Sequence, residues 1–204
     1  MKKCYNQFVI IFNKYAQGDF YQYLKNYKIT KIEHLSFLFM VCYTLTCIVY
    51  HNEGYRHNDL KPNNILININ KNFNTNNLIE YKIFGKKYYL PELPITLKIH
   101  DFDFSFTNEI RNKKIGKLKQ FIHEETNPVY DIHYLINHLI TILKLNNADL
   151  NIIDMFTKLL PDNTIGYNND YTIKYRLTNY KKNIIINNFE RRRCVYQVIS
   201  YTAF

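Results

Sequence analysis

Apolar residues fall along this chain in blocks of changing length and spacing, and those blocks predict its elements. Residues 8–12 are a short apolar run that reads as a buried strand, punctuated by Gly18-Asp19. Residues 20–27 carry helical spacing. Residues 35–50 are apolar and uncharged, and they predict the body of a long helix over 31–51. Thr30 is placed to cap that helix, Glu33 falls in its first turn, and Gly54 ends it. Strands are predicted over 64–68 and 97–100. Between them, residues 70–77 are rich in Asn and read as a surface loop, while 80–90 alternate enough for an extra hairpin that Pro91 and Pro94 break. Residues 129–143 and 148–160 predict two apolar helices, the second stopped by Pro161, and a last helix is expected from Asn187 onwards. No internal repeat is visible. The order of strand, helices, polar loop, two strands, loop and helices predicts a mainly helical α+β fold with a small sheet at one edge.

Composition narrows this picture. A chain of 204 residues can bury a sizeable core as one domain, and 47% hydrophobic with 16% aromatic content excludes a disordered chain. The net charge of +10 is scattered apart from the run Arg191-Arg192-Arg193. No nucleic-acid motif accompanies it, so it reads as a solvated basic surface. The run at 35–50 falls short of the roughly 20 apolar residues of a membrane span, and 8–12 is too short for the core of a signal peptide. No membrane partner is expected, and 35–50 reads as a helix buried all round. Cys4, Cys42, Cys47 and Cys194 form no C-x-x-C pair and no zinc spacing with His. They read as reduced thiols of an intracellular protein.

The chemistry is concentrated in Tyr55-Arg56-His57-Asn58-Asp59-Leu60-Lys61-Pro62-Asn63-Asn64-Ile65-Leu66, followed downstream by Leu97-Lys98-Ile99-His100-Asp101-Phe102-Asp103. Phosphoryl transfer needs a carboxylate beside the attacking hydroxyl and oxygen ligands that hold Mg²⁺ on the phosphates. Asp59 supplies the first, Asn64 and Asp101 the second, and Lys61 a cation where charge develops on the transferred group. An Asp and an Asn on one tight loop, with an Asp ending an adjacent strand, can converge on one ion.

These segments resemble the protein kinase superfamily. His57, Asp59, Leu60 and Asn64 match the spacing H-x-D-L-x-x-x-N of the catalytic loop, and Lys61-Pro62 matches its Ser/Thr version. Asp101-Phe102 stands where the family has Asp-Phe-Gly, with Asp103 in place of the Gly, a variant similar to kinases of large DNA viruses. The resemblance spans most of the chain and implies one kinase-like domain over 1–204, comprising hinge and C-terminal (large) lobe, with 69–96 as an insertion. It implies ATP and Mg²⁺ as cofactors and a protein substrate. Asp59 and Lys61 would be catalytic, and Asn64 and Asp101 would ligate the metal. Phe12 would be the gatekeeper. The backbone from Asn13 to Tyr15 would face adenine, Asp19 the ribose, and Leu66 would floor the pocket. Asp131 would anchor the catalytic loop backbone, and His57 and Phe102 would stack in the lobe's hydrophobic spine. The implied location is the cytoplasm of the producing or host cell, or the virion.

The sequence also departs from the family. Asn58 replaces the Arg beside the catalytic Asp. No Ala-Pro-Glu triplet occurs within 103–126, and no Gly-rich loop or V-A-I-K lysine precedes the hinge, so the N-terminal lobe is largely absent. The sequence is then a fragment, or a second chain supplies that lobe, or the protein is a pseudokinase or binding module. Asp103 also resembles the acidic residue of small-molecule phosphotransferases of the aminoglycoside or choline kind, whereas Lys61 favours a protein kinase.

Overall fold

The computed structural model describes residues 16–115 and 130–160. The strand expected over 8–12, Phe12, Asn13 and Tyr15 of the hinge, the arginine run and the helix from Asn187 lie outside the described residues. The first described element is the two-residue strand β1 (Gly18–Asp19), which runs directly into helix α1 (Phe20–Asn26). Asp19 caps α1 by accepting a hydrogen bond from the Gln22 amide at 2.8 Å. Helix α2 (Lys31–His51) begins at a complete capping box. The Thr30 hydroxyl accepts from the Glu33 amide at 3.2 Å, and the Glu33 carboxylate accepts from the Thr30 amide at 2.7 Å. Thr30→Ala removes one half of that exchange. The expected outcome is a loss of about 1 kcal/mol of stability, read as a lower denaturant midpoint with unchanged slope.

The end of α2 differs from expectation. Asn52 is the C-cap, its amide bonded to the Ile48 carbonyl at 2.8 Å, and Gly54 lies two residues further on. Gly54 adopts φ +71, and a Cβ there would overlap the Asn108 side chain. Its role is therefore the close turn into the next segment rather than the cap. Length is a second correction. At 21 residues α2 is long and apolar enough to cross a membrane, although the run of 35–50 had read as too short. Its central apolar side chains, Leu35 to Leu45, are largely covered within the protein, while Ile32, Val49 and Tyr50 are exposed. Phe37 packs edge-on against Phe20 at 5.3 Å, His34 against Phe156, and Phe39 and Tyr43 against Tyr81 of the hairpin described next. The part of the helix covered on several sides needs no polar face, so the expected all-round burial holds for its centre and not for its ends.

Two small antiparallel sheets follow. Strand β2 (Ile65–Ile69) pairs with β1 on one side and with β5 (Ile95–Ile99) on the other. The hairpin of β3 (Leu78–Ile83) and β4 (Lys86–Pro91) forms the second sheet, turning at Phe84-Gly85, both with positive φ. The hairpin is longer than the expected 80–90. Pro91 closes it opposite Leu78 instead of breaking it, as a strand end with no need of an N–H allows. The Asn-rich stretch before it is tied back by Glu92, which accepts from Asn70, Asn74 and Asn77. Helices α3 (Tyr130–Leu145) and α4 (Leu150–Lys158) complete the described fold. Between them Asn147 sits in the left-handed region at φ +51, a conformation Asn tolerates better than most residues. One main core joins these parts. Phe37, Leu38, Leu60, Ile65, Ile95, Leu135, Ile136 and Phe156 are all buried within it. The described residues are thus α+β, with four helices and two small antiparallel sheets.

Candidate active site

The loop after α2 owes its shape to Pro62. A 3-10 turn covers Pro62–Asn64 with Pro62 at its first position, where a missing N–H costs nothing. The Asn64 amide closes this turn on the Lys61 carbonyl at 2.8 Å. Leu60, fully buried, fixes the preceding residues to the core. Asn64 is thereby folded back onto Asp59, and its Nδ2 donates to the Asp59 carbonyl at 2.9 Å and to Oδ2 at 3.0 Å. Lys61 Nζ donates to the same Oδ2 at 2.8 Å. The Tyr134 hydroxyl, from α3, donates to Oδ1 at 3.4 Å. Asp59 remains partly open to solvent, with 18% of its side chain exposed, and Lys61 with 33%.

Helix α3 also holds the loop's backbone. Asp131 accepts from the amides of His57 and Asn58, each at 2.8 Å. Burial pushes its carboxyl up from the ordinary range, and those amides together with His57 and Arg56 pull it back. The next segment is stitched to the same loop. Arg56 and Phe106 exchange both backbone hydrogen bonds, at 3.0 and 3.1 Å. Asn58 Nδ2 donates to the Phe104 carbonyl at 2.7 Å. Asn58 takes φ +68, so the residue that replaces the family's Arg occupies a backbone conformation suited to Asn. The Arg56 guanidinium lies 4.1 Å from the centre of the Tyr130 ring and 5.7 Å from that of Phe106. Burial pushes it down, opposed by Asp131 and Tyr130.

His100 joins the two motifs. Its amide donates to the Asn64 carbonyl at 3.1 Å, extending the β2–β5 ladder by one residue. Its carbonyl accepts from His57 Nε2 at 2.8 Å, which places the N–H of His57 on Nε2. Asp101 follows at once, in the left-handed region at φ +61, exposed and without a capping bond from its side chain. A non-glycine residue held there carries backbone strain of a kind that gathers at functional sites. The His57 and Phe102 rings lie 5.4 Å apart, as the resemblance implied. His57 is fully buried, but Phe102 is 51% exposed, so the expected buried stack is buried on one side only. Asp103 pairs with Lys114.

On the other edge of β2, Asp19 and Leu66 stand directly opposite each other across the β1–β2 ladder. The two described members of the expected nucleotide-binding set are therefore neighbours, although Asp19 also serves as the cap of α1. The structure thus brings Asp59, Lys61 and Asn64 into contact and sets Asp101 one residue beyond the Asn64–His100 bond. Asn64 has its amide nitrogen committed to Asp59, which leaves its amide oxygen as a ligand atom. With the Asp101 carboxylate it offers the hard oxygen donors that Mg²⁺ prefers. Among the described residues no group of three or more His, Cys, Asp and Glu is placed to hold a metal. A cation here would rest on these two side chains and on ligands it brings. The sequence reading did not single out Arg56, His100 or Tyr134. Each acts through a contact made by tertiary packing, and no local signal marks it.

Comparisons with known proteins point the same way. A sequence model described as poxvirus serine/threonine protein kinase matches residues 8–197. Two proteins of Acanthamoeba polyphaga mimivirus, each named "Putative serine/threonine-protein kinase", are similar to the chain. One is 34% identical over 132 residues, covering 61% of this chain and 28% of its own length. The other is 28% identical over 192 residues, covering 79% and 47%. "Serine/threonine-protein kinase 2" of swinepox virus (strain Kasza) is 39% identical over 106 residues, covering 52% and 21%. The chain thus spans less than half the length of each of these relatives. No solved structure matches it.

Proposed function

Since the chain belongs to the poxvirus serine/threonine protein kinase family, we propose that it transfers the γ-phosphate of ATP to a Ser or Thr hydroxyl of a protein. The observation that carries this reading is the contact of Asp59 with both Lys61 and Asn64, on a loop whose backbone Asp131 pins from α3. Asp59 orients the acceptor hydroxyl and takes its proton as the oxygen attacks the γ-phosphorus. The bond from that phosphorus to the bridging oxygen breaks, and ADP leaves. Lys61 offsets charge on the transferred group. Asn64 and Asp101 would hold Mg²⁺, which neutralises phosphate charge when bound. Asp19 and Leu66 would line the nucleotide pocket. Phosphate-facing amides and a lysine of a kinase small lobe would add to this, since positioning and charge stabilisation make up most of this catalysis.

The test is transfer of radiolabelled phosphate from ATP to a mixed protein substrate, followed by acid hydrolysis. Label recovered as phosphoserine and phosphothreonine is expected. Label found on an aminoglycoside or choline and never on protein would replace this reading with a small-molecule phosphotransferase.

A further inference from the structure

Asp59 is held by donors of two kinds. Lys61 and Asn64 both bind Oδ2, and both come from the loop itself. Among the described residues, Oδ1 receives a long contact from Tyr134 alone, 75 residues away on α3. Tyr134 lies one helical turn beyond Asp131, which pins the same loop by its backbone. The helix that sets the height of the loop thus also reaches the reacting carboxylate. The phenol ring is 6% exposed and well fixed. It stacks on Tyr130 with centroids 6.1 Å apart and meets His138 edge-on at 4.7 Å. Its hydroxyl therefore has little freedom of its own, and a carboxylate that bonds it loses freedom too.

We propose that Tyr134 is a positioning residue for Asp59, holding the carboxylate plane so that Oδ1 keeps one lone pair directed at the acceptor hydroxyl. This inference rests on the kinase reading of Asp59. The physical logic is that of a base oriented by a third group. Oδ2 is saturated by two donors, so proton acceptance falls to Oδ1. A rigid donor on one lone pair of Oδ1 leaves the other in a defined direction. The contact of 3.4 Å is longer than the usual O–H···O range, and in the proposed role it shortens when the acceptor binds. The competing description is that Tyr134 is a core tyrosine whose polar tip meets the nearest oxygen.

Tyr134→Phe separates the two, because it keeps the ring contacts with Tyr130 and His138 and removes only the donor. The full chain is assayed for phosphate transfer at varied ATP concentration, beside Asp59→Asn and the double variant. The expected result for Tyr134→Phe is a fall in kcat of roughly tenfold with KM for ATP unchanged. In the Asp59→Asn background Tyr134→Phe has no further effect. Wild-type kcat in Tyr134→Phe, with Asp59→Asn inactive, overturns the role of Tyr134 and leaves the kinase reading standing. Undiminished transfer in Asp59→Asn, or no transfer by the wild-type chain even with a kinase small lobe supplied, overturns the kinase reading and this inference with it.

Discussion

Asp59→Asn lowers phosphoryl transfer by about 10²–10⁴-fold, the usual contribution of a positioned acid–base group, and leaves the fold intact. The variant keeps the size and shape of the side chain, and Leu60 still anchors the loop in the core. What it loses is the proton acceptor and the negative charge that Lys61 faces at 2.8 Å. The side chain is partly exposed, so the loss of that ion pair by itself costs little stability. Kinetics and thermal unfolding measured side by side check both halves of this expectation. Wild-type turnover in a folded Asp59→Asn protein would remove Asp59 from the reaction.

Asp131→Ala acts through the fold instead. The two amides it satisfies, those of His57 and Asn58, lie in fully buried residues. An orphaned buried donor costs about 1–3 kcal/mol, so losing the acceptor of both costs roughly 2–6 kcal/mol. That is a large part of the stability of an ordinary domain. Asp131 also pulls against the desolvation of Arg56, so its removal leaves that guanidinium buried without the opposing charge. The expected result is a markedly lower denaturant midpoint, and loss of transfer even where the protein remains folded, because the loop no longer holds Asp59 at its height. Asp131→Asn keeps one acceptor and turns an N–H₂ toward the other amide, so an intermediate loss is expected. An unchanged midpoint in Asp131→Ala would show that the loop is held by other means.

What the sequence made legible was local. Thr30 and Glu33 announced the start of α2, because a capping box is complete within four residues. Asp59, Lys61, Pro62 and Asn64 announced their own contacts, because a 3-10 turn started by Pro62 closes that loop. The hairpin was legible as alternation, but its limits were not, since pairing of Pro91 with Leu78 depends on which edge lacks a partner. The helix over 31–51 was legible to its ends, because the capping box and the uncharged run are both local; weighing only 35–50 against a membrane span left out its polar and basic ends. Contacts far apart in sequence were silent. Tyr134 reaches Asp59, and Arg56 reaches Tyr130, only because α3 docks beneath the loop. The exposure of Phe102 was equally hidden, since a motif fixes which residue follows Asp101 but not what covers it.

In the proposed function, the loop bearing Asp59 and Asn64 and the strand end bearing Asp101 form one metal–nucleotide site. Paramagnetic broadening of backbone resonances by Mn²⁺, used in place of Mg²⁺ and titrated with and without ATP, tests it most directly. The predicted result is nucleotide-dependent broadening centred on Asn64 and Asp101, spreading to Asp59 and His100, and lost in Asp101→Ala while the rest of the spectrum is preserved. Broadening centred elsewhere, or the same broadening in Asp101→Ala, would contradict it.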